Sequence, residues 1–267
     1  MPDDAPLYEV MRATLRADDP VALATVTEGP AIGAKLVVRP GKPVVGTLGD
    51  PELDRVVARD ALAELDSGLT STRHYGRHGE AREREVAVFI ESFSPAPLLV
   101  IFGAVDFTAA LARAGKLLGF RVTVCDARPV FATPARFPMA DEVANDWPDR
   151  YLEQVADRLG PRDAVCVLTH DAKFDVPAIV AATGTRAGYI GAMGSRRTHA
   201  TRVERLREAG LGDDALARVH APIGLDIGAR TPEETAIAIC AEIIAHRAGV
   251  PVPNLRDGQG PIHRHAG

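Results

Sequence analysis

Leu98-Leu99-Val100-Ile101-Phe102-Gly103 is an apolar run stopped by a glycine, and Arg121-Val122-Thr123-Val124-Cys125-Asp126 is a second such run stopped by an acid. Between them, residues 108–118 carry apolar side chains at helical spacing. A strand that is apolar on both faces must be covered on both, so this strand, helix, strand order predicts a parallel sheet with helices on either side. The alternation continues downstream. A helix is expected around 149–159, a strand over 164–169, a helix over 176–182 and a strand near 188–190. Thr231-Pro232-Glu233-Glu234 then offers an N-cap, a proline at the first helical position and a glutamate placed to complete a capping box, ahead of a long apolar run. The C-terminal half therefore reads as a doubly wound α/β domain.

Upstream the pattern is mixed rather than alternating. A helix over 7–16 precedes a β-rich run over 21–27, two strands over 34–38 and 43–48 joined at Pro40-Gly41-Lys42, and a helix that starts at Asp50-Pro51. Two more strands, over 70–75 and 85–91, complete an α+β unit. Ser92-Phe93-Ser94-Pro95-Ala96-Pro97 is a stiff connection, because each proline restricts itself and its predecessor. The expected organisation is an α+β domain over 1–93, a doubly wound domain over 94–248, and a tail over 249–267 where periodicity is lost.

The 267 residues carry 31 Lys+Arg against 36 Asp+Glu, a net charge of -5, which argues against a broad electrostatic grip on nucleic acid or an anionic membrane. An anionic ligand must then be held locally. No apolar run approaches the roughly 18 residues of a membrane span, and the first twenty residues lack the apolar core of a secretory signal, so a cytoplasmic location is expected. Cys125, Cys166 and Cys240 are widely separated and read as small buried side chains, not a disulfide framework or zinc knuckle.

Four places offer chemistry. Gly103 ends a strand where a dinucleotide-binding fold presents its phosphate loop, but Val105 stands where the second glycine is needed and Asp106 opposes phosphate. Asp126, at the end of the next strand, either reads ribose hydroxyls or caps a βα turn. Residues 170–175 bring His170, Asp171, Lys173 and Asp175 to the carboxyl end of a strand, where open α/β sheets bind ligands. Gly194-Ser195-Arg196-Arg197 opens a helix with glycine, free amides and two guanidinium groups, a pattern suited to an anion. In the first domain Arg39 and Gly46-Thr47 form a candidate second wall. His74, His78, His263 and His265 lack the spacing or companion carboxylates of a metal centre and read as surface residues. The loop 220–230 is either a wall of the site or a buried connection.

LTHDAKFDVPAI (168–179), YIGAMGSRRT (189–198) and HAPIGLDIGARTPEETAIAI (220–239), in that order after the glycine turn, resemble the XdhC/CoxI family of accessory factors for xanthine dehydrogenase and carbon monoxide dehydrogenase, and the resemblance begins near AKLVVRPG (34–41). It implies an N-terminal XdhC/CoxI domain and a C-terminal Rossmann-like domain. It also implies a non-catalytic chaperone that binds molybdenum cofactor and delivers it to a molybdenum hydroxylase, with a cysteine desulfurase as second partner and a homodimer as an assembly. In that reading the cofactor's phosphate sits at Gly194, Ser195, Arg196 and Arg197, His170, Asp171 and Lys173 line the cleft, and the first domain closes through Arg39, Gly46 and Thr47. The chain departs from the family's G-x-G-H-V-A turn at 103–108 and from its G-G-G-C-V-E run at 48–53. These losses argue against nicotinamide dinucleotide binding in the usual mode. An NAD(P)-dependent oxidoreductase with Asp126 on the ribose is the competing expectation.

Overall fold

A computed structural model describes residues 5–81 and 83–252, with side chains from residue 7, and divides the chain into two units, Met1–Pro95 and Ala96–Gly267. In the first unit α1 (Ala5–Arg16) is followed by β1 (Val21–Glu28), β2 (Lys35–Val38), β3 (Val45–Thr47), α2 (Pro51–Ser67), β4 (Ser71–Tyr75) and β5 (Val86–Phe93). The strands form one antiparallel sheet in the order β3-β2-β1-β5-β4. Asp50 caps α2 by accepting the Glu52 and Leu53 amides, Pro51 fits the first turn, and Gly68 closes the helix at φ +67°. Leu53, Val57, Ala61 and Leu65 recur on one stripe of α2 and pack with Val26, Leu36, Val88 and Ile90 of the sheet.

The second unit runs β6 (Leu98–Phe102), α3 (Asp106–Leu117), β7 (Arg121–Cys125), β8 (Glu142–Ala144), α4 (Pro148–Val155), β9 (Ala164–Val167), α5 (Ala172–Thr183), β10 (Tyr189–Ala192), α6 (Arg196–Glu208), α7 (Asp213–Ala217), β11 (Val219–His220) and α8 (Pro232–Ala248). Six parallel strands lie in the order β11-β10-β9-β6-β7-β8, the two-winged order of Rossmann-like sheets, which reverses direction between β6 and β9. The period of two along each strand builds two cores. Leu99, Ile101, Val122, Val124 and Cys166 face the layer that holds Leu111 of α3 and Ile239 of α8, whereas Val100, Phe102, Val165 and Val167 face Leu152, Ile179 and Leu206 of α4, α5 and α6. That division explains why each of these strands reads as a continuous apolar run.

Two edge strands, β8 and β11, escape the sequence reading because three and two residues carry no periodic signal. Helix α5 begins four residues before the expected start. Asp171 is its N-cap, and Pro177 lies inside the helix, where it removes the amide that would bond the Lys173 carbonyl. The last helix ends at Ala248, and the expected tail from residue 253 onward, with His263 and His265, falls outside the described residues.

Candidate site at the carboxyl edge of the parallel sheet

The order of the sheet places the ends of β6 and β9 side by side at the point where the winding reverses, so their following loops frame a crevice. The first of these loops is closed on itself. Gly103 has φ +105°, and a Cβ there would meet Thr169 Cγ2 at 2.6 Å, so close approach of two loops accounts for this glycine. The Ala104 amide donates to Asp126 Oδ2 at 2.7 Å. Arg128 clasps the same carboxylate, with Nε on Oδ1 at 2.9 Å, an Nη on Oδ2 at 2.7 Å and its backbone amide on Oδ1 at 2.9 Å. Burial pushes Asp126 upward, but these donors outweigh it and hold the carboxyl below the usual range. Both oxygens are therefore committed to the protein itself. From the end of β7, Asp126 holds the neighbouring β6–α3 turn through the Ala104 amide, and with Asp106 in the first turn of α3 these residues do not fit a dinucleotide pyrophosphate.

The loops after β9 and β10 differ. His170, Ala172, Asp175 and Val176 at the start of α5 face Arg197, Thr198, Thr201, Arg202 and Arg205 along one side of α6, enclosing a cavity of about 260 Å³. Arg202 is the floor. Its side chain is 4% exposed, donates to Asp175 Oδ2 at 2.9 Å and to the Met193 carbonyl at 2.8 Å, and leaves Nη1 without a hydrogen-bond partner. Asp175 in turn accepts from the Thr169 hydroxyl. Burial raises the Asp175 carboxyl above its ordinary value despite the opposing pull of Arg202. His199, on the same helix, also has a buried Nδ1 without a partner, and burial together with Arg202 lowers its pKa. An unsatisfied buried donor costs on the order of 1–3 kcal/mol, more for a charged group, so a cation left in this state marks a place for an acceptor.

The sequence-derived residues separate into two sets. His170 and Arg197 line the cavity. Asp171 and Lys173 serve α5: Asp171 accepts the Lys173 amide at 3.1 Å and pairs with its ammonium group at 3.3 Å. Ser195 caps α6 by accepting the Thr198 amide at 3.1 Å, and Gly194 takes φ +148° beside Thr198 and Arg202. Gly194, Ser195 and Arg196 thus set up the helix whose later residues, Thr201, Arg202 and Arg205, form the cavity wall. Sequence reading misses these three because their convergence depends on α5 lying beside α6, although the spacing 197, 198, 201, 202, 205 is a helical face. The turn suited to an anion is therefore the one after β10, not the one after β6.

An aromatic group borders α5. Trp147 and Phe174 lie 5.2 Å apart between ring centres, Lys173 Nζ sits 4.8 Å from the Phe174 ring, and Arg128 lies 4.6 Å from the Phe131 ring. Trp147 and Phe131 remain exposed. The loop 220–230 proves to be anchored from inside: Glu242 of α8 accepts from the Gly224 amide at 2.7 Å and from the Tyr189 hydroxyl, and meets His220 Nδ1 at 3.3 Å. Its first residues are buried, which settles that part as a connection held by the core.

In the first unit, Arg39 follows β2, and Gly46 lies within β3 at φ +93°, where a Cβ would run into the Lys35 carbonyl. Strand pairing thus accounts for Gly46, and Thr47 accepts the Gly49 amide at 3.0 Å. A separate cavity of about 240 Å³ lies near Leu48, Leu53 and Val86, with His78 at its edge. His78 lies at the surface, where it pairs with the Asp50 carboxylate at 2.7 Å. Among the described residues no cluster of His, Cys, Asp and Glu could hold a metal ion, and no helix is long and apolar enough to cross a membrane.

Residues 99–243, more than half of the chain, match the sequence model of the XdhC Rossmann domain, and residues 14–76 match that of the XdhC and CoxI family. The chain belongs to the XdhC/CoxI family. It is 36% identical over 165 residues to a Bacillus subtilis (strain 168) protein named as a probable subunit of xanthine dehydrogenase, covering 62% of this chain and 47% of that one. It is 34% identical over 84 residues to the Escherichia coli (strain K12) molybdenum cofactor insertion chaperone PaoD, covering 32% of this chain and 26% of that one. The chain spans less than half the length of these curated relatives. A crystal structure from Bacillus halodurans, described as a xanthine dehydrogenase, shares the fold with a TM-score of 0.53 at 21% identity, over 90% of this chain and 95% of that one.

Burial pushes the Cys125 thiol up to about 12 and the Cys240 thiol up to about 11, and raises Cys166 as well, so none of the three offers a ready thiolate to molybdenum. The charge and donor geometry of the cavity lined by Arg197, Arg202 and Arg205 suit a phosphate group.

Proposed function

We propose that this chain is an accessory factor that binds molybdenum cofactor and delivers it to a xanthine dehydrogenase-type molybdenum hydroxylase in the cytoplasm. The observation that carries the reading is the cavity whose lining includes three arginines, one of them buried with a free donor, at the carboxyl edge of an XdhC-type Rossmann sheet. The name of the Escherichia coli relative, a molybdenum cofactor insertion chaperone, supports it. The cofactor is cargo here, so the chain's task is to bind, shield and release. Ser195 and Gly194 shape the start of α6, Arg196 and Arg197 supply charge, His170, Asp171 and Lys173 border the opposite helix, and the Trp147 and Phe174 rings offer an apolar face beside them. A cysteine desulfurase that sulfurates the cofactor and a second copy of this chain are the further partners of this reading.

Anaerobic purification followed by molybdenum and pterin analysis tests it. Wild type is expected to retain both in near-equal amounts, and Arg196→Ala/Arg197→Ala to lose most of them. Equal retention would remove these arginines from the site, and absence of pterin from wild type exposed to a cofactor source would overturn the reading.

A further inference from the structure

The cavity lies beside α6, between its flank and the first turn of α5, rather than at the tip of the Gly194-Ser195 turn. We infer that this groove is a phosphoryl site in which Arg202 reads the anion from below while Arg197 and Arg205 close on it from the rim. The inference rests on the molybdenum-cofactor reading only for the identity of the molecule that carries the phosphate.

Two independent features converge. Helix α6 spans Arg196–Glu208, and its N-terminal end favours negative charge, yet its first turn contains no acidic residue and two arginines. Arg202 is the second feature: its side chain is more than nine-tenths buried, it lines the cavity, and Nη1 has no acceptor although Nη2 has two. A guanidinium has a planar fork of donors suited to two oxygens of one anion, and Asp175 occupies only part of it. The charges lining the groove are Arg197, Arg202 and Arg205 against the single carboxylate of Asp175. Three fixed cations and one anion leave an excess matched to a phosphate monoester, which carries between one and two negative charges at neutral pH. Thr198 and Thr201 add hydroxyls at the wall. Asp175 is the positioning residue, since it holds Arg202 and is itself held by the Thr169 hydroxyl at the end of β9.

Titration of the full chain with inorganic phosphate, followed by calorimetry at low salt, is expected to show saturable binding. Arg197→Ala and Arg205→Ala change exposed side chains and should each weaken it by about tenfold. Arg202→Lys keeps the charge opposite Asp175 but lacks the fork, and should weaken binding by about tenfold or more. If Arg202→Lys fails to fold, the two rim variants decide the matter. Failure of wild type to saturate at roughly 10 mM phosphate, or wild-type binding by both rim variants, would overturn the inference. Two arms identify the carrier. Loss of phosphate binding in chain isolated with molybdenum cofactor supports the pterin's phosphate as the occupant, and competition by cytidine monophosphate in chain that still binds phosphate supports a nucleotide. Protein that binds phosphate but never acquires pterin keeps the groove and refutes the chaperone reading, so the two failures are distinguishable.

Discussion

The turn after β6 and the turn after β10 are the same topological event, a parallel strand feeding a helix through a glycine with positive φ, and they have opposite chemistry. After β6 the buried carboxylate is used internally and the exposed one opposes an anion: Asp126 takes the Ala104 amide and the Arg128 fork, and Asp106 stands in the first turn of α3. After β10 the helix begins with arginines, and a buried guanidinium beyond them keeps a donor without an acceptor. The two carboxylates respond accordingly. Asp126 is held below its ordinary value because donors overcome burial, whereas Asp175 is raised because burial exceeds what one guanidinium returns. A glycine at the end of a strand therefore does not tell these two turns apart; the fate of the neighbouring charges does.

Changes at the two turns should separate stability from binding. The largest effect is expected for Arg202→Ala, which leaves Asp175 buried and unpaired and should cost about 3–5 kcal/mol in denaturant unfolding. Asp126→Ala should cost about 1–3 kcal/mol by orphaning the Ala104 amide, with molybdenum-cofactor retention per folded molecule unchanged. Nicotinamide binding at millimolar cofactor that weakens in this variant would instead restore the oxidoreductase reading. The same carboxylate predicts a pH effect. Its folded pKa lies below the unfolded value of about 3.9, so its contribution is present above that pH and is lost as pH falls through the folded value. Asp126→Asn should accordingly flatten the acid limb of a stability profile below about pH 4. Asp106→Ala should lower stability by only about 0.3–1 kcal/mol, the scale of one carboxylate at a helix N-terminus. Arg197→Ala should change stability by at most about 0.5 kcal/mol while reducing cofactor retention, which would place binding and folding on different residues of the same helix.

The architecture is legible along the chain wherever elements are long and their period is strong. The runs at 98–102 and 121–125, the Asp50-Pro51 start of α2 and the Thr231-Glu234 capping box all appear in the structure as read, and the strand expected over 164–169 spans Ala164–Val167. The Thr231 hydroxyl accepts the Glu234 amide at 3.1 Å and the Glu234 carboxylate accepts the Thr231 amide at 3.1 Å. Short edge strands are silent because two or three residues cannot express a period. In the site, His170 and Arg197 are found by position, at the ends of strands, while Arg202 and Arg205 look like ordinary members of a charged helix. The HAPIGLDIGAR segment is readable as a motif, but its anchor, Glu242, lies in another helix and is visible only once Tyr189, His220 and Gly224 converge on it.

By itself the sequence determines the parallel sheet, the caps and the loss of the glycine turn suited to a dinucleotide, because these depend on neighbours a few residues apart. Only the tertiary structure decides that Asp126 is spent on Arg128, that Glu242 holds the loop after β11, and that the arginines along α6 face Asp175 across a cavity. Those facts depend on which helix lies beside which, and on how burial sets the cost of an unmatched charge, neither of which a local pattern of residues contains.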